Sequence, residues 1–150
     1  MSQQAAPKKS HTLVWIALFF VAAAAGAAVV YSLTQWNVPA IAKKLRNPVP
    51  ATESNVDNGM FTYSQRCQSC HGPDGNGKGD RAGELSLMPT DFTNAAEMSR
   101  LTDGELYWKI THGHRPMPAF EDKLTDTERW QVVDYIRTFA HQPASPSSPQ

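Results

Sequence analysis

Cys67-Gln68-Ser69-Cys70-His71 decides how this chain is read, and its 150 residues contain no other cysteine. A C-x-x-C-H run is the attachment signature of a c-type haem. The spacing has a mechanical basis. Residues three apart share a face on a helical turn, so Cys67 and Cys70 can both reach the edge of one porphyrin. Two thioethers imply one covalently bound haem c. His71 follows directly and is the expected axial ligand on one side of the iron. Competing chemistries fit less well. A thioredoxin-like dithiol expects a strand before the first cysteine, where this sequence reads as helix. Zinc needs about four ligands, and the remaining candidates are His112 and His114. A disulfide is sterically poor between cysteines so close on a helix.

Outward from the motif, Ser54 to His141 reads as three helices. Each opens on Ser/Thr-x-x-Asp/Glu, the capping-box pattern or its Asp variant: Ser54…Asp57, Thr102…Glu105 and Thr125…Glu128. On the first, Val56, Met60, Tyr63 and Cys67 recur at helical spacing, so one face leads to the cysteines. The second carries Leu106, Trp108 and Ile110 and ends at His112-Gly113. The third repeats Trp130, Val133, Ile136 and Phe139. Gly59 would let the third helix approach the first, with Tyr63 and Tyr135 packing nearby. The aromatic residues read as core, with Trp108 open as a haem contact. The glycines from Gly72 to Gly83 mark a turn-rich loop, expected to wrap one haem edge. No G-K-[ST] ending supports a phosphate cradle.

The opposite face of the iron needs a second ligand. Met117 is the expected one, in His114-Arg115-Pro116-Met117-Pro118, where the flanking prolines restrict the backbone. Met88 and a bis-histidine arrangement through His112 or His114 stay open as alternatives. A backbone carbonyl near Met88 or Pro89 is expected to orient His71. Arg81, Arg100 and Arg115 are each a possible propionate partner, although an exposed charge is the simpler reading.

The front of the chain is different. No charged residue occurs from Thr12 to Leu33, and about twenty-two helical residues span roughly 33 Å, enough for the hydrocarbon layer. Trp15 lies near one end, and Tyr31 and Trp36 near the other, as interfacial aromatics do. Lys8 and Lys9 favour a cytoplasmic N-terminus, but Lys43, Lys44 and Arg46 on the other flank leave the charge rule ambiguous. Haem attachment, which takes place outside the bacterial cytoplasm, sets the orientation. A cleavable signal peptide is the alternative, and the apolar stretch is long for one. The expected organisation is a cytoplasmic N-terminus over 1–11, a transmembrane anchor over 12–34 and a linker over 35–53. A haem domain over 54–141 and a disordered Pro/Ser/Gln tail over 142–150 complete it. Net charge is zero, which argues against a nucleic-acid binder. From Ser54 to His141, however, nine Lys/Arg face thirteen Asp/Glu, so that part is acidic.

With these residues in place the chain resembles the class I cytochrome c family over about Val56 to Ala140. The likeness is carried by Gly59-x-x-x-Tyr63, Cys67-Gln68-Ser69-Cys70-His71-Gly72, the Leu101-to-Gly113 helix, Met117-Pro118 and the helix with Trp130 and Tyr135-Ile136. The resemblance implies an all-α, class I cytochrome c-like fold whose first and last helices cross near a haem with one exposed edge. By architecture the chain also resembles membrane-anchored monohaem cytochromes of bacterial respiratory complexes, including the small cytochrome subunit of alternative complex III. The expected function is an electron carrier rather than an enzyme, because both axial positions of the iron would be filled. The expected path runs from a quinol-oxidising complex to a terminal oxidase such as a cytochrome c oxidase. The expected location is the bacterial inner membrane, with the haem domain on the periplasmic side.

Overall fold

The computed structural model describes residues 11–34 and 36–140. Lys8 and Lys9, the side chain of Tyr31, and the tail read over 142–150 lie outside the described residues. Two compact units meet between Asn37 and Val38. The first contains helix α1 (His11–Thr34), which is long and apolar enough to cross a membrane: an 18-residue window within residues 11–30 has a mean hydropathy of 2.5, and residues 11–30 are all exposed.

The second unit holds α2 (Glu53–Arg66), α3 (Gln68–His71), α4 (Ala95–Met98), α5 (Asp103–His112) and α6 (Asp126–Phe139), with 3-10 turns at Ala42–Lys44 and Ala82–Glu84. Among the described residues there is no strand, so the expected all-α class holds. The boxes at Thr102/Glu105 and Thr125/Glu128 form in both directions, satisfying backbone donors that a helix start leaves unpaired. The start of α2 differs from the expectation. Thr52, extended at φ −75° and ψ 157°, accepts from Asn55 N and is the cap. Ser54 and Asp57 therefore lie inside the helix.

Helices α2 and α6 cross where Gly59 removes a side chain. A Cβ there would stand 2.0 Å from the Gln131 carbonyl oxygen and 3.1 Å from Tyr135 Cβ. The Tyr63 and Tyr135 rings then meet edge to face at 5.3 Å. This close crossing turns Gly59, Thr62 and Tyr63 inward and leaves Met60 half-exposed, so the apolar stripe read through Met60 is only partly buried. Trp130, Val133, Ile136 and Phe139 are all buried, as the three-residue repeat predicts. Tyr107 stacks on Trp130 at 4.1 Å and joins α5 to α6.

Residues 38–52, assigned from the sequence to a linker, pack on this unit. Ala42 is buried against α5, where a Cβ on Gly104 would meet its carbonyl at 2.0 Å. Asn47 donates to Asp134 Oδ1 at 2.7 Å. The prolines broke the helical pattern as expected. What they produce is a turn stitched to α5 and α6 by small and polar residues, which carry no periodic signal.

Candidate cofactor site

The site begins where α2 ends. Cys67 is at once the last cap of α2 and the first of α3, and its N–H donates to Tyr63 O at 2.8 Å. Its carbonyl accepts from Cys70 N at 3.1 Å and His71 N at 2.9 Å, so both cysteines and the histidine share one helical turn. Both thiols are partly buried and unbridged. Burial, reinforced by Cys70, pushes the Cys67 thiol up to about 12.

His71 is held between the core and the following loop. Its ring stacks on Phe92 at 4.7 Å and 15°. Burial lowers its pKa, which favours the neutral imidazole that can ligate a metal. Nδ1 is buried without a well-formed hydrogen bond, and the backbone of Thr90 is the group that counteracts the loss of charge. The expected hydrogen bond from His71 to a carbonyl near Met88 or Pro89 is therefore not formed here, although the backbone of Thr90 is close by.

The Gly-rich loop locks the turn. Gly77 N donates to His71 O, Gly79 N to Cys70 O and Arg81 N to Ser69 O, at 2.9, 3.1 and 2.8 Å. These three bonds take up consecutive carbonyls at the end of α3, which a helix C-terminus leaves unpaired. Glycine is needed for the approach: a Cβ on Gly79 would lie 2.4 Å from Ser69 O. Tyr63 adds a buried bond from its hydroxyl to Gly72 O at 2.8 Å.

Met117 arrives from the other side of the sequence. Gly113, at φ 62°, ends α5. His114 and Met117 then exchange backbone bonds at 3.0 and 2.8 Å around the cis Arg115-Pro116 peptide. Phe120 N donates back to Ile110 O and Thr111 O, closing the loop onto α5. Met117 is partly buried against the core cluster that also receives Cys67 and contains Phe92, the ring on His71. Of the alternatives, His114 shares the Met117 turn. Met88 is 72% exposed, Met98 is buried at 1%, and Met60 is half-exposed. His112 is exposed, with its ring on Trp108 at 4.4 Å and Nδ1 3.0 Å from Trp108 O. Arg100 and Arg115 are exposed, and Arg81 pairs with Glu84 at 3.7 Å.

Two unbridged thiols on one turn, a partly buried imidazole beside them whose pKa burial lowers, and a thioether packed against the domain core fit a covalently attached haem. Comparison with known proteins agrees. Residues 54–136 match the family model described as cytochrome c oxidase, cbb3-type, subunit III. The chain belongs to the cytochrome c family. Its C-terminal unit is a class I-like cytochrome domain, and its cofactor is covalent haem c.

The cytochrome is 31% identical over 85 residues to thiosulfate dehydrogenase of Allochromatium vinosum, covering 54% of this chain and 30% of that protein. It is 26% identical over 91 residues to cytochrome c6 of Euglena viridis, covering 57% of this chain and 94% of that one. A chain from the reducing HAO-like protein complex of Kuenenia stuttgartiensis superposes with a TM-score of 0.55 at 28% identity, over 71% of this chain and 52% of that chain. The cytochrome thus spans under a third of the dehydrogenase and about half of the complex's chain. It is an electron-transfer c-type cytochrome similar to subunits of bacterial redox complexes.

Sequence reasoning missed Phe92, whose ring stacks on His71, and the nearby backbone of Thr90. Both lie in an irregular segment without periodicity. It also left out Arg137, which donates to Asp103 and to the Met98 and Leu101 carbonyls, fixing the α4–α5 loop against α6.

Proposed function

We propose that this cytochrome is a membrane-anchored monohaem carrier of single electrons between respiratory components, taking them from a quinol-oxidising complex and delivering them to a terminal oxidase. In this reading Cys67 and Cys70 form the thioethers, and His71 and Met117 are the axial ligands. Bound haem supplies a one-electron iron couple. The chain's own residues do the rest. The Gly77–Arg81 backbone bonds hold the α3 turn, Phe92 packs flat on His71, and the His114–Met117 turn presents the thioether. Held by His71 on one side and Met117 on the other, a bound haem would offer no open position for substrate, oxygen or peroxide. Met/His ligation raises the reduction potential, which suits the high-potential end of such a chain.

The observation that supports this reading is the stacking of His71 on Phe92, with Cys67 and Met117 both packed against the domain core that contains Phe92. The likeness to a cbb3-type oxidase subunit domain supports an oxidase as acceptor. The length and apolarity of α1 support the anchor. The domain is then extracytoplasmic on the inner membrane, and the tether raises its effective concentration near both partners. An acidic domain surface favours docking on basic patches.

The test is the spectrum of the matured ferric protein. The sulfur-to-iron charge-transfer band is expected in the native chain and in Met88→Ala, and is expected to vanish in Met117→Ala. A band that survives in Met117→Ala, or that disappears in Met88→Ala, would overturn the ligand assignment.

A further inference from the structure

Residues 38–47 form the leading edge of the cytochrome domain, and their contacts point in two directions. Inward, Ala42 is buried against Gly104 and fixes the 3-10 turn Ala42–Lys44 on α5. Outward, the same short segment exposes two large apolar side chains, Ile41 at 70% and Leu45 at 42%. Three cations are interleaved with them. Lys43 is half-exposed and pairs with Glu105 at 3.4 Å. Lys44 and Arg46 are exposed and have no ion-pair partner among the described residues. Lys43, Lys44, Leu45 and Arg46 line an open cleft of about 690 Å3 with Thr102, Asp103 and Arg137, and Ile41 lies outside it. Arg137 is already engaged by Asp103 and two carbonyls, so the uncommitted charge in the cleft is that of Lys44 and Arg46.

We propose that this segment is an interfacial docking surface for an anionic phospholipid bilayer, holding the cytochrome domain against the membrane. The inference rests on the reading of α1 as an anchor. Its chemistry is that of an interfacial element, with apolar side chains at the acyl boundary and cations at anionic headgroups. Chain length is compatible with this. Ile41 lies seven residues after Thr34, the end of α1, so it stays within about 25 Å of that end even on a fully extended chain. The charge distribution adds a separate reason. With the domain outside the cytoplasm, Lys43, Lys44 and Arg46 occupy the flank where the positive-inside rule disfavours cations. Contact with anionic headgroups gives them a role there. A rigidly packed edge, rather than a loose tether, would also limit the orientations the haem can present.

The test uses the full, haem-loaded chain, whose own cysteines are in thioethers, so that Ile41→Cys supplies one thiol for a nitroxide spin label. The chain is placed in vesicles of phosphatidylcholine alone or of phosphatidylcholine with phosphatidylglycerol. The expected result is a label accessible to oxygen and shielded from a water-soluble nickel chelate in the anionic vesicles. Each cation near such a surface contributes roughly fivefold, so Lys44→Gln with Arg46→Gln is expected to lower the ratio of docked to free domain roughly 25-fold. A label equally open to the nickel chelate in both lipids would overturn the proposal. Shielding that follows protein density rather than lipid charge would also overturn it, by pointing to a second copy as the occupant. Flotation after a high-salt, high-pH wash separates the two readings. A chain that does not float refutes the anchor, whereas a floating chain with a water-exposed label refutes only the docking surface.

Discussion

Gly59→Ala sets two physical effects against each other. On an isolated helix the change should stabilise, because alanine is favoured over glycine by about 1 kcal/mol within a helix. At this position the new Cβ would sit 2.0 Å from Gln131 O and 2.6 Å from Gln131 C. Both are backbone atoms of α6, so no rotamer change relieves the clash, and the helices must separate by more than about 1 Å to reach ordinary contact. Overpacking of this kind costs about 1–3 kcal/mol, and contact with backbone places it at the upper end. Separation also loosens the Tyr63–Tyr135 contact. The net expectation is a loss of about 2 kcal/mol, or roughly 8–16 °C in Tm for a domain near this size. The assay is paired thermal melting of the haem-loaded chain followed in the Soret band. Gly83→Ala is the control, since a Cβ there meets nothing within 4 Å, and its Tm should stay close to that of the native chain. A Gly59→Ala protein melting at or above the native chain would refute the close-crossing account.

Thr125→Ala removes a hydroxyl that accepts from Glu128 N and should cost about 1 kcal/mol, read as a shift in the urea midpoint with unchanged slope. Tyr63→Phe removes one of two donors to the Gly72 carbonyl, leaving Gly75 N at 3.2 Å. It should cost about 0.5–1.5 kcal/mol in the same denaturation assay, and a neutral result would contradict the assigned bond. Asp134 is a pH probe. Burial raises its carboxyl pKa, opposed by Asn47 and assisted by Asp103, and its Oδ2 is buried without a partner. Because the folded pKa lies above the unfolded one, its contribution is fully present below the unfolded pKa and is lost as pH rises through the folded value. Asp134→Asn should therefore gain stability relative to the native chain as pH rises through that range, and the gain should fade in acid. Tm differences that run the other way with pH would refute it.

The sequence made the regular parts legible for physical reasons. Capping boxes at Thr102 and Thr125 and the repeat Trp130–Val133–Ile136–Phe139 are local signals, and the structure satisfies them locally. The glycine at 59 could be read as a close approach because an interior helix glycine needs such a reason. The cofactor was legible because a covalent haem demands a fixed spacing of thiols and imidazole. The rest depends on contacts without period. Thr52 displaced Ser54 as cap because its extended backbone places its oxygen on Asn55 N. The segment around Ala42 and Asn47 looked like a linker because one buried alanine and one amide leave no pattern. Phe92 and Thr90 reach His71 from a loop whose path is set by the Gly77–Arg81 bonds to α3, which only the folded chain displays.

The central claim is that this chain carries one electron at an iron whose axial positions the protein itself fills. Potentiometric titration of the full, haem-loaded chain, repeated under carbon monoxide, tests it most directly. The account predicts a single reversible one-electron wave at the same potential in both atmospheres. A wave displaced by carbon monoxide, or no reversible wave, would contradict it.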